Sequence, residues 1–183
     1  EDEYTAYRTH IKDWRQLDGD DYNKQYYDIL DYLRNWNVAR IMIDATREES
    51  MTDRLRANLD CEVIGCNFTS IKSPMYKHLD TEIKSGRATF PLSDEVKKSR
   101  EYMEFIKQMG MLQKDYRGQT MVVSHPPERG AHDDYPDSWA LAVYGCRDNV
   151  DNYKIQQENK NPFLVKQHNS YYKSINNRTA RRR

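Results

Sequence analysis

The stretch from His132 to Ser138 places an imidazole and three carboxylates within a few positions of one another. The carboxylates belong to Asp133, Asp134 and Asp137. Acids this close repel one another, and a bound divalent cation is the usual means of keeping them ionised. Oxygen ligands of this kind favour magnesium or manganese over zinc. The stretch therefore predicts a carboxylate-ligated metal site.

A fourth acid, Asp44, ends the most strand-like run of the chain, residues 38–43. Sites in α/β sheets lie at the carboxyl ends of strands, so Asp44 is expected at a sheet edge where it can join the later acids. An alternative stays open, in which Asp133 and Asp134 only cap a helix at the surface and Asp44 is a turn residue. His132 is likewise either a catalytic or ligating group or a local hydrogen-bond partner.

Strand and helix patterns alternate along the chain, which predicts an α/β sheet with crossover helices. Residues 4–14 alternate as a first strand, and the turn at 17–21 supplies aspartates that can cap the next helix. The later predicted elements are a helix at 22–36, a strand from 38, a helix at 50–59, a buried strand at 61–68, a helix at 72–84, an edge strand at 87–90, a helix capped by 93–95 and ending near 109, a strand at 119–124 after a turn at 116–118, and a helix from near Asp134.

The 183 residues suffice for one domain with a core, and their zero net charge is unevenly placed. Residues 147–183 carry nine Lys/Arg against three Asp/Glu, a net +6, whereas residues 1–146 carry 20 against 26, a net −6. We therefore predict a folded domain at 1–148 and a basic, flexible tail at 149–183. The sequence shows no membrane span, no signal peptide and no C-x-x-C pair, which favours a reduced, cytoplasmic compartment.

Several short motifs follow one another in a recognisable order. They are a strand ending in Ile43-Asp44-Ala45-Thr46, a helix bearing Ile71-Lys72-Ser73-Pro74, a short strand leading into Phe90-Pro91, a hairpin-like segment, and His132-Asp133-Asp134 with Asp137-Ser138 before an Ala-rich helix. This order resembles the nuclease domain of the large terminase subunit of tailed bacteriophages, over residues 17–146. The resemblance implies an RNase H-like fold, a mixed sheet flanked by helices, which lacks its opening strand or strands in this chain.

The resemblance also implies roles for the acids. Carried over by position, Asp44 is the second acidic residue of that family's site, Asp133 with Asp134 supplies the third, and Asp137 stands close behind. The family's first catalytic aspartate lies on the opening strand and is expected before Glu1. Such a site is implied to hold two magnesium or manganese ions that activate water for hydrolysis of a DNA phosphodiester.

The implied activity is a metal-dependent endodeoxyribonuclease that cuts concatemeric double-stranded DNA during viral genome packaging, in the cytoplasm of an infected bacterium. Its implied partners are DNA, the terminase small subunit, the portal and an ATPase motor domain. The motor domain is expected outside this chain, because no G-x-x-x-x-G-K-[ST] loop occurs here. Lys72 at a helix start and Arg117 at a hairpin tip are the preferred DNA contacts, and the tail is a further candidate. Two alternatives stay open: another RNase H-like nuclease of the junction-resolvase type, and a catalytically incomplete DNA-binding or docking module of the packaging motor.

Overall fold

The computed structural model describes residues 8–17, 19, 21–46, 49–128 and 130–160, with only the backbone for residue 49 and residues 148–160. The helices are α1 (Tyr22–Leu33), α2 (Glu49–Asn58), α3 (Phe68–Lys84), α4 (Arg100–Met111) and α5 (Asp134–Lys160). The strands are β1 (Thr9–His10), β2 (Arg40–Asp44), β3 (Glu62–Cys66), β4 (Ala88–Thr89), β5 (Gln113–Arg117) and β6 (Thr120–Ser124). This alternation confirms the predicted α/β class.

The parallel pair of β2 and β3 is joined by α2, and its register sets Asp44 opposite Cys66. Successive side chains of a strand point to opposite faces, and here both faces are covered. One face packs into a core with α1 and α2, and the other into a core with α3, α4 and α5. Met42 and Cys66 pack against this second core. Because Asp44 follows Met42 by two residues, it projects on the side of α3 and α5.

The helix α5 approaches β2 closely at Gly145. A Cβ atom at this position would lie 2.6 Å from Cγ of Met42, so only glycine allows the approach without a shift. The carbonyl of Gly145 also accepts a hydrogen bond from Nη1 of Arg40 at 2.6 Å. Towards its start, α5 places Trp139 against the buried ring of Phe105 in α4, with the ring centroids 5.5 Å apart. These contacts fix the first half of α5 against both the sheet and α4.

The remaining strands form two further pairs. An antiparallel hairpin joins β5 to β6 through a turn at Gly118, whose φ of 61° lies in the left-handed region that favours glycine. Ser73 of α3 supports this hairpin, since its Oγ accepts a hydrogen bond from the Met121 N–H at 3.0 Å. β1 and β4 pair in parallel. In the part of the chain that is described, the strands thus form three separate two-stranded sheets.

The start of α4 differs from the sequence prediction. Residues 93–95 precede a 3-10 turn at Val96–Lys98 rather than the helix itself. Ser99 then caps α4, because its Oγ accepts a hydrogen bond from the Tyr102 N–H at 3.1 Å. Ser93 is followed directly by two acids whereas Ser99 is followed by Arg100 and Glu101, so the local pattern favoured the earlier segment.

Two strands and one helix also differ in extent. Residues 4–7 of the predicted strand at 4–14 lie outside the described part, and in the remainder only β1 is formed. β5 is missing from the sequence prediction because all five of its residues are exposed and no apolar alternation marks it. α5 continues to Lys160, past the predicted tail boundary at 149. Residues 161–183 lie outside the described residues, so the tail stays a prediction.

The contacts that follow all lie within residues 1–145, which form one compact unit. No helix in the described ranges is both long and apolar enough to cross a lipid bilayer.

Candidate metal centre

Two helices bring two acids and a lysine together. Lys72 and Tyr76 lie one turn apart on α3, Asp133 immediately precedes α5, and Asp137 lies one turn further on. Nζ of Lys72 donates to Oδ2 of Asp133 at 2.8 Å and to Oδ2 of Asp137 at 3.0 Å. The Tyr76 hydroxyl donates to the other oxygen of Asp137 at 2.5 Å. We call these four residues the carboxylate cluster.

The carboxylate cluster is mostly sheltered from solvent and carries more acid than base. Its side chains are 27% exposed for Lys72, 18% for Asp133 and 16% for Asp137. Burial alone would lower the pKa of Lys72, but the hydrogen bonds to both carboxylates outweigh it and raise that pKa. Burial also raises the pKa of Asp137, more than the bonds from Tyr76 and Lys72 lower it, and the charge of Asp133 adds to the rise. The Lys72 ammonium is thus attracted by two carboxylates, while each carboxylate is attracted by the ammonium and repelled by the other carboxylate.

Tyr76 acts in this cluster as a fixed donor. Burial, followed by the charge of Asp137 and the hydrogen bond to it, raises the pKa of the Tyr76 phenol. The hydroxyl therefore keeps its proton and holds one Asp137 oxygen in place. Sequence reasoning missed Tyr76, although its position four residues after Lys72 on a predicted helix puts both side chains on one face.

Asp44 lies at the same end of α3 as the carboxylate cluster. Its Oδ1 accepts hydrogen bonds from the backbone N–H of Thr46 at 3.0 Å and from the Thr46 hydroxyl at 2.5 Å. The Thr46 oxygen in turn accepts the N–H of Phe68, the first residue of α3, at 3.0 Å. Lys72 follows Phe68 by one helical turn. This chain of bonds ties the end of β2 to the start of the helix that carries Lys72.

The other predicted residues occupy exposed positions. Asp134 is 82% exposed, and its Oδ2 lies 3.9 Å from Nδ1 of His132, itself 61% exposed. Residues 133 and 137 share one side of the helix start, whereas Asp134 is turned away from that side. Arg117 is exposed at the end of β5, beside the hairpin turn. Their proposed catalytic, ligating and DNA-binding roles stay predictions.

The carboxylate oxygens of the carboxylate cluster are suitable ligands for a small cation. One oxygen of each acid already converges on the positive charge of Lys72, and carboxylate oxygens are the ligands that magnesium and manganese prefer. Across the described ranges, however, no group of three or more His, Cys, Asp or Glu side chains is placed to hold a metal ion. The structure pairs Asp133 with Asp137 and does not bring Asp44 or Asp134 into that pair. Lys72, predicted as a DNA contact, forms ion pairs with both acids, and its DNA-binding role stays a prediction.

Gln108 of α4 is the second residue that sequence reasoning missed. It is only 4% exposed, and its Oε1 accepts the backbone N–H of Tyr135, in the first turn of α5, at 2.9 Å. No local pattern points to such a contact, because the two residues are 27 positions apart.

Comparison with protein-family models finds no match, and comparison with curated protein sequences finds none either. Two solved structures are similar in fold. The large terminase nuclease from thermophilic phage G20c superposes with a TM-score of 0.51 and 17% sequence identity, over 70% of this chain and 64% of the other. The large terminase nuclease domain of Thermus phage P74-26 gives a TM-score of 0.51 and 15% identity, over 69% and 60%. The chain thus spans less than two thirds of either structure, and its fold is that of a phage large terminase nuclease domain.

Proposed function

We propose that this chain is a metal-dependent nuclease domain of a viral genome-packaging terminase, which cleaves double-stranded DNA. The observation that carries the proposal is the convergence of Asp133 and Asp137 on one cation at the start of α5, in a fold shared with two phage terminase nucleases. Asp44, at the same end of α3, is the proposed third ligand, and the aspartate expected upstream of Glu1 is the fourth. Magnesium or manganese is the proposed ion.

The residues of the chain have separate tasks in this proposal. A bound divalent ion supplies an activated water and neutralises charge on the phosphodiester. Asp133 and Asp137 hold positive charge at the start of α5, and the Tyr76 hydroxyl fixes the orientation of Asp137. Lys72 compensates the two acids until a divalent ion replaces it, and its ammonium then becomes available for a DNA phosphate.

The remaining predicted residues complete the proposal. Arg117, exposed beside the hairpin turn, is a proposed phosphate contact, and His132 with Asp134 are proposed to lie at the rim of the site. The proposed partners are double-stranded DNA, a terminase small subunit, a portal and an ATPase motor domain on another part of the protein. Contacts to the phosphates of the DNA backbone do not distinguish one base from another, so we expect little sequence preference in cleavage.

The test is cleavage of supercoiled plasmid in manganese or magnesium, by residues 1–183 and by a longer chain that carries the residues expected upstream. Asp133→Asn and Asp137→Asn each remove a ligand charge, so cleavage by the longer chain should fall by a factor of ~100 or more. Asp94→Asn is the matched control, because Asp94 is 93% exposed and lies outside the cluster. It should cut like the parent.

Each outcome of this assay decides between the candidate functions. Equal cutting by the parent, Asp133→Asn and Asp137→Asn would refute the site. Cutting of a branched DNA substrate assayed in parallel, with no cutting of the plasmid, would favour a junction resolvase. Binding of plasmid by the longer chain without any cutting would favour a docking module over a nuclease.

A further inference from the structure

The N-terminus of α5 is capped by a residue of another helix. The Asp137 N–H donates to the Asp133 carbonyl at 2.8 Å, which places Asp133 at the N-cap position. The side chain of an N-cap residue normally accepts the backbone N–H of the second or third helical residue. Here the second is Tyr135, and its N–H donates to Oε1 of Gln108 at 2.9 Å.

The third helical residue offers no alternative donor. It is Pro136, which has no N–H and is fully buried. With one donor taken by Gln108 and the other absent, the Asp133 carboxylate has neither of the N–H groups that an N-cap side chain normally accepts. It accepts the Lys72 ammonium at 2.8 Å instead.

Three other helices of the same chain show the ordinary arrangement. Asp21 accepts the N–H groups of residues 23 and 24 at the start of α1. Asn67 accepts that of residue 69 at the start of α3, and Ser99 that of residue 102 at the start of α4. In each of them the N-cap side chain accepts backbone N–H groups of its own helix, whereas the Asp133 carboxylate does not.

We propose that Gln108 is a positioning residue, which takes over the capping of α5 and thereby directs the Asp133 carboxylate to the cation position beside Asp137. Gln108 is held for this task by its own helix, since its Nε2 donates to Oε1 of Glu104 one turn earlier at 3.2 Å. The link between Gln108 and metal binding rests on the proposed function. The capping of Tyr135 by Gln108 and the pairing of Asp133 with Lys72 do not depend on it.

Gln108→Leu removes the acceptor at similar side-chain size. The Tyr135 N–H then becomes available, and the Asp133 carboxylate turns back to cap it and leaves Lys72. The direct measurement is the coupling between Lys72→Met and Asp133→Asn in unfolding by urea. The two substitutions should be non-additive in the parent and additive in the Gln108→Leu background. Manganese binding, measured by calorimetry, should weaken by ~10-fold or more, as for other groups that orient a ligand.

A rescue variant separates positioning from packing. Glu104→Gln with Gln108→Glu exchanges the two side chains, so that the new carboxylate at 108 accepts both the Tyr135 N–H and the amide at 104. The exchange should restore the coupling between positions 72 and 133 and the manganese affinity. A second variant, Pro136→Ala, returns a competing N–H to the helix start and should weaken the coupling while Gln108 stays in place.

The outcomes distinguish this inference from the proposed function. Unchanged coupling in both the Gln108→Leu and the Pro136→Ala backgrounds would overturn the positioning role. If Gln108→Leu does not fold, the exchanged pair and Pro136→Ala still decide. If the parent binds no manganese while the coupling responds as expected, the proposed metal site fails and the positioning of Asp133 stands.

Discussion

Two sheltered ion-pair groups in this protein differ in how their charges balance. Glu82, with a side chain only 6% exposed, faces a single guanidinium, and Arg87 donates to both of its oxygens at 2.7 and 3.0 Å. In the carboxylate cluster one ammonium is shared between Asp133 and Asp137. The first group pairs one carboxylate with one guanidinium. The second has two carboxylates for one ammonium, so we expect a further cation to be attracted there rather than to Glu82.

The largest expected effect follows from breaking the pair of Glu82 and Arg87. Arg87→Met leaves the Glu82 carboxylate buried without this guanidinium, which should lower the free energy of unfolding by about 2–4 kcal/mol. The loss is smaller than for a fully buried pair because the guanidinium is itself partly exposed. Urea unfolding with and without manganese measures this, and manganese should not restore the loss. Arg34→Met is the matched control, because Arg34 and Asp31 are 68% and 73% exposed. It should cost ~0.5 kcal/mol or less.

Removing the shared ammonium should have a smaller effect that manganese can reverse. Lys72→Met leaves two carboxylates facing each other and should cost about 1–3 kcal/mol in metal-free buffer. Because the two oxygens remain, manganese should raise the melting temperature of this variant more than that of the parent. A variant that is destabilised but gains no more than the parent from manganese would show that the cluster does not prefer an ion to Lys72.

The pair of Glu82 and Arg87 should also contribute to the response to acid. The hydrogen bonds from Arg87 hold the pKa of Glu82 below its usual value, despite the opposing effect of burial. A carboxyl whose pKa is lower in the folded state adds stability above its unfolded pKa, and this is lost as the pH falls through the folded value. Glu82→Gln should therefore be less stable at neutral pH and lose less stability on acidification. Parallel curves for variant and parent, measured by urea unfolding at several pH values, would contradict this.

The smallest effect is expected at Asp134. Its side chain is 82% exposed and lies outside the cluster, so Asp134→Asn should change the free energy of unfolding by no more than ~0.5 kcal/mol. Its manganese affinity should match that of the parent. A clear loss of affinity would place Asp134 among the ligands, as the sequence resemblance implied.

The parts of this fold that the sequence predicts are those written in local patterns. The N-cap at Asp21 is confirmed, and so is the helix start at Asp134, because caps and apolar periodicity involve neighbouring residues. The sequence did not predict β5, because an exposed strand shows no apolar alternation. Its pairing with β6 depends on the turn at Gly118.

The site was predictable only in part, for the same reason. The convergence of Asp133 and Asp137 follows from their spacing at a helix start. The contact that brings Lys72 to them spans more than 60 residues, and no local pattern records it. The burial of Gln108 beside Tyr135 is a tertiary contact of the same kind.

The central claim is that Asp133 and Asp137 form a cation site, and calorimetric titration of the 183-residue chain with manganese tests it most directly. The parent and Asp94→Asn should bind manganese alike, and Lys72→Met should bind it more tightly because the competing ammonium is gone. The double variant Asp133→Asn with Asp137→Asn should show no binding at the site, with its fold intact by circular dichroism. Equal manganese binding by the parent and this folded double variant would contradict the account.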